Sequence, residues 1–242
     1  LAREGYYLMI CHIGSKNVST LESIINENRI DGLVLLSELA SPQILTVLRE
    51  SKIPFVIAGR CVEPHSMWVD IDNIGAGWSA TECLLKTGAL KIGFLTNSFQ
   101  KVFVSERYEG YRNCLKQANV SVPENAVIDG LTTSNEILSY ITSHEGQLCD
   151  AYVATDSTIA FYFLRELQKR GILVPKDIHV IAFDDGILAE VSEPSMTVVK
   201  IDVMNLGMAA AKMLIQQLRL EAQSPDHLLL STSIIERGST RK

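Results

Sequence analysis

Two adjacent carboxylates and one arginine are the side chains of this sequence best placed to bind a polar ligand. Asp184 and Asp185 directly follow the apolar run 180–183, and Arg107 lies a short distance beyond the run 92–96. Short apolar runs bounded by turn residues are typical of strands that are buried on both faces of a parallel sheet. Ligands of such sheets bind just beyond the carboxyl ends of the strands. We therefore take these residues as the starting point of a candidate site.

Arg107 is predicted to lie in the first turn of a helix that runs from about 105 to 119. The helix dipole disfavours a cation there, and Glu106 carries the charge that is normally found at that position. We favour the interpretation that Arg107 holds an anionic or hydroxyl-rich ligand. The alternative is an exposed arginine that pairs with Glu106 or Glu109.

Other polar residues follow strands in the same way. Asp72 and Asp156 each precede a predicted helix, so helix capping and ligand contact are equally good interpretations of both. Asp184 could instead stabilise a turn, although the neighbouring Asp185 and Gly186 favour ligand contact. The residues predicted at or beyond carboxyl ends of strands are Ser37, Asp72, Arg107, Thr155 and Asp184. Carboxylates together with an arginine suit a ligand that carries many hydroxyl groups.

Size, charge and cysteine usage limit the class of protein. The 242 residues can form one large domain or two small ones. The five cysteines are scattered and odd in number, which favours reduced thiols in a cytoplasmic protein. A formal charge of −6 argues against binding of a nucleic-acid backbone by this part of the protein alone. Neither a signal peptide nor a membrane span is predicted.

Motifs for catalysis or cofactor binding give little support to an enzyme. The segment 75–80 matches G-x-G-x-x-A, but no acidic residue ends the next strand, as a dinucleotide site requires. We interpret its small residues as packing a helix on a sheet. No zinc-protease, nucleophile-elbow or phosphate-loop motif is present, and the five histidines are isolated. We therefore predict no catalytic residues, no metal and no cofactor.

Strands and helices alternate along the whole chain. Strands are predicted at 6–13, 32–36, 55–58, 68–69, 92–96, 126–128, 151–154, 180–183, 197–199, 228–230 and 234–235. Helices are predicted between most of them, beginning near residues 19, 42, 74, 105, 135 and 157. A last amphipathic helix carries Leu206, Ala210, Met213, Leu214 and Leu218. Such alternation indicates parallel sheets. Because the pattern restarts near Lys91, we predict an α/β fold with two doubly wound parallel sheets.

Several short motifs resemble the effector-binding core of the lac/galactose repressor family, whose fold is that of type I periplasmic sugar-binding proteins. They follow the family order and span most of the chain. The matching segments are Asp31–Leu35, Ile53–Val56, Val69–Asn73, Arg107–Tyr111, Ala154–Asp156, Gly171–Ile178, Phe183–Asp185 and Ile235–Thr240. The resemblance implies two subdomains, formed by 1–88 with 201–229 and by 89–200 with 230–242. Three crossovers, near 87–89, 199–201 and 230–232, would join them around an effector-binding cleft.

The resemblance also assigns roles to individual residues. It makes Arg107 and Asp184 the principal polar effector contacts, with Asp72 opposite them and Thr155 and Asp156 beside them. Positions that often form the walls of the pocket are occupied by Phe99, Leu131 and Val203, of which the last two are weak ring-stacking partners. Arg107→Ala is then expected to abolish effector binding and to leave the fold intact.

The chain departs from the family pattern at its start. Neither the N-terminal helix-turn-helix nor the first strand and helix of the effector core is matched by these residues. A sheet without its first strand leaves backbone groups unpaired, so we expect this exact chain to be poorly stable alone.

The resemblance implies the sugar-sensing part of a cytoplasmic, homodimeric transcription regulator, with no membrane partner. Operator DNA would be bound only through an absent N-terminal domain. A faint similarity to the maltose-regulator branch favours a maltose-type sugar. The alternative is an extracytoplasmic sugar receptor of a transporter, which has the same fold.

Overall fold

The computed structural model describes residues 4–12, 18–61, 63, 64, 66–220 and 225–241. Strands in this part are β1 (Leu33–Leu36), β2 (Phe55–Ala58), β3 (Trp68–Ile71), β4 (Ile92–Leu95), β5 (Val127–Ile128), β6 (Ala151–Ala154), β7 (His179–Phe183), β8 (Thr197–Lys200), β9 (His227–Leu230) and β10 (Ser233–Ile235). Helices are α1 (Val18–Asn26), α2 (Pro42–Ser51), α3 (Asn73–Lys86), α4 (Val102–Gln117), α5 (Ser134–Ser143), α6 (Ser157–Lys169), α7 (Ile187–Val191) and α8 (Val203–Leu218). No helix of the described residues is long and apolar enough to cross a membrane.

The strands form two sheets, and helices lie between most successive strands. The first sheet has the order β1-β2-β3-β9, and all its pairs are parallel. The second has the order β10-β8-β7-β6-β4-β5 and is parallel except for its antiparallel edge strand β10. The predicted α/β class with two parallel sheets is confirmed. Parallel strands require long crossover connections, which the intervening helices supply.

The chain divides into two compact units. The first contains Leu1–Ile71 and Asp202–Leu230, and the second contains Asp72–Ile201 and Ser231–Lys242. The chain therefore passes from one unit to the other three times. The division expected from the sequence assigns residues 72–88 to the first unit instead, and it differs by one residue at each of the other two passages. Helix α3 lies in the second unit because it packs closely against α4 there.

Each unit has its own apolar core. In the first unit, Ile44, Leu45 and Leu48 of α2 pack against one face of the sheet, while Met213 and Leu214 of α8 belong to a second cluster. In the second unit a larger core surrounds the central strands β6 and β7, whose residues are all buried. The central strands are thus covered on both faces, as their continuous apolar sequences predict.

The predicted strand at 6–13 is wrong for the residues that the structure describes. Residues 6–12 form no strand, and Ile13 lies outside the described residues. Tyr7 and Ile10 are almost fully exposed, although their sequence is apolar enough for a strand. A strand is stable only when a neighbouring strand satisfies its backbone hydrogen bonds, and none of the described strands pairs with this segment.

Two glycines allow α3 and α4 to approach each other at backbone distance. A Cβ atom added at Gly77 would collide with the carbonyl oxygen of Arg107, and one added at Gly110 would collide with that of Ile74. The G-x-G-x-x-A segment is therefore part of a helix–helix contact, whereas the sequence indicated packing on a sheet. This contact fixes the position of α4, and of Arg107 on it, relative to the start of α3.

We expect Gly110→Ala to destabilise the protein, because backbone atoms cannot move aside as a flexible side chain would. Overpacking of this kind costs about 1–3 kcal/mol. The matched control is Gly207→Ala on α8, where an added Cβ would meet no atom within 4 Å. That change should stabilise the exposed helix by up to about 1 kcal/mol. Urea-induced unfolding of both variants measures the difference, and equal midpoints would contradict the close contact.

Candidate functional site

Arg107 lies inside the second unit and not at its surface. Helix α4 begins at Val102, so the prediction that Arg107 occupies the first turn is wrong by about one turn. The side chain is only 5% exposed, so the alternative of a surface arginine is also wrong. The helix-dipole argument thus drew attention to Arg107, but the structure does not place this residue in the first turn, as the argument requires.

The guanidinium of Arg107 is fixed by hydrogen bonds and by aromatic rings. Its Nε donates to Oδ1 of Asn73 at 3.0 Å, and its Nη1 donates to the carbonyl oxygen of Thr155 at 2.8 Å. The guanidinium carbon lies 4.0 Å from the centroid of the Phe183 ring and 4.8 Å from that of Phe103. Such contacts restrict a long side chain to one orientation, so little further ordering is needed when it binds a ligand.

Asp184 follows β7 in an unusual backbone conformation. Its φ is +73°, in the left-handed region, which aspartate tolerates better than most residues. Its N–H donates to the carbonyl oxygen of Val199 at 3.2 Å. Burial raises the pKa of its carboxyl group, and the nearby Asp156 also raises it, whereas Arg107 lowers it. Asp184 is thus poorly hydrated and lies within electrostatic range of Arg107 and Asp156. Because Arg107 also contacts the residues that precede these two aspartates, we call the three residues the charged cluster.

The two aspartates that precede helices both act as caps. Oδ1 of Asp72 accepts from the N–H of Gly75 at 2.8 Å, and Asp72 is exposed. Oδ1 of Asp156 accepts from the N–H of Ile159 at 2.8 Å. The second oxygen of Asp156 accepts from Nδ2 of Asn97 at 3.3 Å. Asp156 therefore combines capping with a place in the charged cluster, while capping is the role that the structure shows for Asp72.

Thr155 is buried and contributes mainly through its backbone. Its carbonyl oxygen accepts from Arg107, and its N–H donates to the carbonyl oxygen of Leu95 at 2.9 Å. Its hydroxyl group donates to that of Thr96 at 3.1 Å. The side chain thus links the ends of β4 and β6.

Phe99 and Leu131 differ in their surroundings. Phe99 is half-buried and packs edge-on against Tyr108, with the ring centroids 5.1 Å apart, and it stacks on Phe94. Leu131 is buried within the core of the second unit, where it belongs to the same cluster as Leu95. Both follow strands, but only Phe99 retains an exposed face.

The remaining predicted contacts, Ser37 and Val203, belong to the first unit. Ser37 directly follows β1 and lies so close to Gly59 that a Cβ atom there would collide with its hydroxyl group. Val203 is the first residue of α8 and is exposed. The other seven predicted residues lie in the second unit, where Arg107 bonds to Thr155 and packs on Phe183, the residues that directly precede Asp156 and Asp184.

Sequence reasoning misses the residues that hold the arginine in place. The sequence marks Asn73 only as a neighbour of Asp72, although a buried amide directly after a helix cap needs a partner. Phe183 is predicted only as a strand residue, and its ring forms one wall around Arg107. Spacing along the chain gives no sign of either contact, because the partners are 34 and 76 residues apart in the sequence.

The cluster can donate hydrogen bonds from a guanidinium and an amide and can accept them at two carboxylates. Groups of both kinds together match sugar hydroxyls, each of which donates one hydrogen bond and accepts others. Among the described residues, no group of three or more histidines, cysteines and acids could hold a metal ion. The interaction that these guanidinium, amide and carboxylate groups can offer a ligand is directional hydrogen bonding.

The fold and this polar cluster define the class of binding proteins built on parallel α/β units. The chain matches the family described as "Periplasmic binding protein-like domain" over residues 81–240. Because this is more than half of its length, the chain belongs to that family.

The curated relatives of this chain are transcriptional regulators. CelR, an HTH-type transcriptional regulator of Thermobifida fusca, is 31% identical over 87% of this chain and 63% of its own length. The PurR repressor of Vibrio campbellii is 28% identical over 99% of this chain and 74% of its own length. The chain therefore spans between 63% and 74% of the length of these two relatives.

Solved structures agree with the curated relatives. The structure described as "transcriptional regulator CelR-cellobiose complex" superposes with a TM-score of 0.88 at 28% identity, covering 98% of this chain and 75% of that chain. The predicted resemblance to the effector-binding core of the lac/galactose repressor family is confirmed.

We expect Asp184→Asn to stabilise the free protein at neutral pH. The folded-state pKa of Asp184 is raised above its ordinary value, so its ionised form costs stability when the pH lies above both values. A gain of 1 kcal/mol corresponds to about 2–4 °C at this length, and we expect a rise of that order at pH 7. The gain should shrink as the pH falls and Asp184 of the unchanged protein becomes protonated.

Thermal unfolding at pH 7 and pH 4 tests this expectation. Glu109→Gln is the control, since Glu109 is a carboxylate on α4 outside the cluster. It should leave the melting temperature nearly unchanged at both pH values. A lower melting temperature of Asp184→Asn at pH 7 would contradict the net cost of the buried charge.

Proposed function

We propose that this chain is the effector-sensing part of a bacterial transcription regulator and that it binds a small sugar. The observation that carries the proposal is the buried Arg107, which Asn73 and Thr155 hold beside Asp184. A desolvated guanidinium next to a carboxylate offers a strong donor and a strong acceptor without further rearrangement. The likeness to a regulator solved with cellobiose supports a sugar as the ligand.

The proposed site needs no catalysis. Arg107 donates to a hydroxyl or ring oxygen, and Asp184 accepts from a second hydroxyl of the same ligand. Asp156 extends the acceptor surface, and Phe99 offers an apolar ring to the carbon face of the sugar. Seven of the nine predicted contacts lie in the second unit, while Ser37 and Val203 lie in the first and stay predictions.

Regulation follows from a difference in affinity between two arrangements of the protein. A ligand shifts such an equilibrium only as far as it binds one arrangement more tightly than the other. In the proposed homodimer, this shift changes how well operator DNA is bound through a helix-turn-helix outside these 242 residues. A cytoplasmic location follows from that role, and the regulator names of the relatives favour it over an extracytoplasmic receptor.

Cellobiose and maltose are the first ligands to test. Cellobiose is the sugar of the solved CelR complex, and the Asp72–Asn73 motif favours a maltose-type sugar. Thermal shift with both sugars, and with glucose and ribose for comparison, reports binding because a ligand of the folded state raises the melting temperature. A protein whose melting temperature responds to none of them would not support a sugar effector.

Arg107→Lys is expected to reduce sugar affinity at least tenfold. Lysine retains the charge but loses the planar fork that bonds to Asn73 and Thr155. The alanine variant is less informative, because it leaves a cavity and buried acceptors without their donor. Because Arg107 is buried, we expect Arg107→Ala to lower stability as well as affinity.

Calorimetric titration with the sugar that shifts the melting temperature measures the loss of affinity. Arg112→Lys provides the control, since Arg112 is an exposed arginine on the same helix. It should bind as the unchanged protein does. Equal affinities of the Arg107→Lys variant and the unchanged protein would remove Arg107 from the site.

A further inference from the structure

The turn that carries Asp184 is constrained by a contact with the end of the chain. Asp184 has a left-handed backbone, and Gly186, directly before α7, is exposed. Between them, Asp185 forms an ion pair with Arg237, whose Nη2 donates to Oδ1 at 2.6 Å. The two side chains are only 15% and 17% exposed, so water screens this pair less than a surface pair.

Arg237 is itself firmly anchored. Its Nη1 donates to the carbonyl oxygen of Met196 at 3.0 Å, and its N–H donates to the hydroxyl oxygen of Thr197 at 2.8 Å. Two residues later, the hydroxyl group of Ser239 donates to the carbonyl oxygen of Val180 at 2.6 Å and accepts from the N–H of Thr197 at 2.8 Å. The segment around Arg237 is therefore attached to both β7 and β8.

We propose that Arg237 is a positioning residue for ligand recognition: through Asp185 it holds the turn that carries Asp184, directly after the Phe183 ring that packs on the Arg107 guanidinium. This inference rests on the proposed function, in which Asp184 is a direct ligand contact. Arg237 itself touches no ligand. A turn that contains a left-handed residue has other backbone conformations of lower energy. A partly buried ion pair on the adjacent residue can stabilise the observed conformation against them.

A ligand-free measurement tests the positioning directly. Carbon-13 NMR follows the ionisation of the Asp184 carboxyl group, with the Asp184→Asn variant used to assign its signal. Burial raises the pKa of this group, the charge of Arg107 lowers it and that of Asp156 raises it. In Arg237→Gln the turn should relax and the carboxyl group should gain water, so its pKa should move down towards the ordinary value.

Arg170→Gln is the matched control in the same unit. Arg170 also pairs with a carboxylate, that of Glu166, and the two side chains are 25% and 4% exposed. It lies just beyond the far end of α6, roughly 20 Å along the helix from Asp156. We expect Arg237→Gln and Arg170→Gln both to lower the melting temperature, whereas only Arg237→Gln alters the titration of Asp184.

Sugar affinity provides the second readout. Calorimetry with cellobiose or maltose, whichever the unchanged protein binds, should show at least a tenfold loss in Arg237→Gln and none in Arg170→Gln. Asp185→Asn removes the same ion pair from its other side, so it should reproduce both effects even if Arg237→Gln does not fold.

The two proposals fail in different ways. If the unchanged protein binds neither sugar, the result counts against the proposed function. The titration of Asp184 then still tests the role of Arg237. An unchanged pKa of Asp184 in Arg237→Gln, or in Asp185→Asn where that is the folded variant, would overturn the positioning role. A sugar affinity that falls equally in the Arg170→Gln control would overturn it as well.

Discussion

The contacts within the second unit that concern the candidate site all depend on the burial of one guanidinium group, that of Arg107. A charged group taken out of water is tolerated only when its hydrogen bonds are satisfied by fixed partners. For Arg107 these partners come from the start of α3, the end of β6 and the ring at the end of β7. The close glycine contact between α3 and α4 is part of the same requirement, because it brings Asn73 within reach. The packing of α3 on α4 thus also determines the geometry around Arg107.

The features of Asp184 that lower the stability of the free protein are the ones that would strengthen its contact with a ligand. Asp184 is held in a left-handed conformation and is poorly hydrated, and both conditions are unfavourable for the free protein. A ligand that donates a hydrogen bond to this carboxylate replaces the missing water and so gains more than it would from an exposed acid. The same desolvation that costs stability would therefore strengthen the ligand contact that we propose for Asp184.

The sequence predicted those parts of the fold that depend on local patterns. The ends of β6 and β7 and the capping positions of Asp72 and Asp156 follow from apolar runs and cap chemistry. The contacts of Arg107 do not, because they join residues far apart in the chain and depend on a helix–helix distance that two glycines set. The apolar segment 6–12 shows the opposite failure, since its composition suits a strand but a strand also needs a partner.

The order of the chain has a consequence for how the site is completed. The second unit consists of the continuous stretch 72–201 and a short return of residues 231–242. Ser239 bonds to Val180 and Arg237 bonds to Asp185, so contacts across more than 50 residues secure the turn that carries Asp184. Closing so long a loop costs entropy before the contacts form. Arg107 is held by residues of α3, β6 and β7, whereas the turn that carries Asp184 is also held by β8 and by residues 237–239. The acceptor side of the candidate site therefore depends on contacts between segments that are far apart in the sequence.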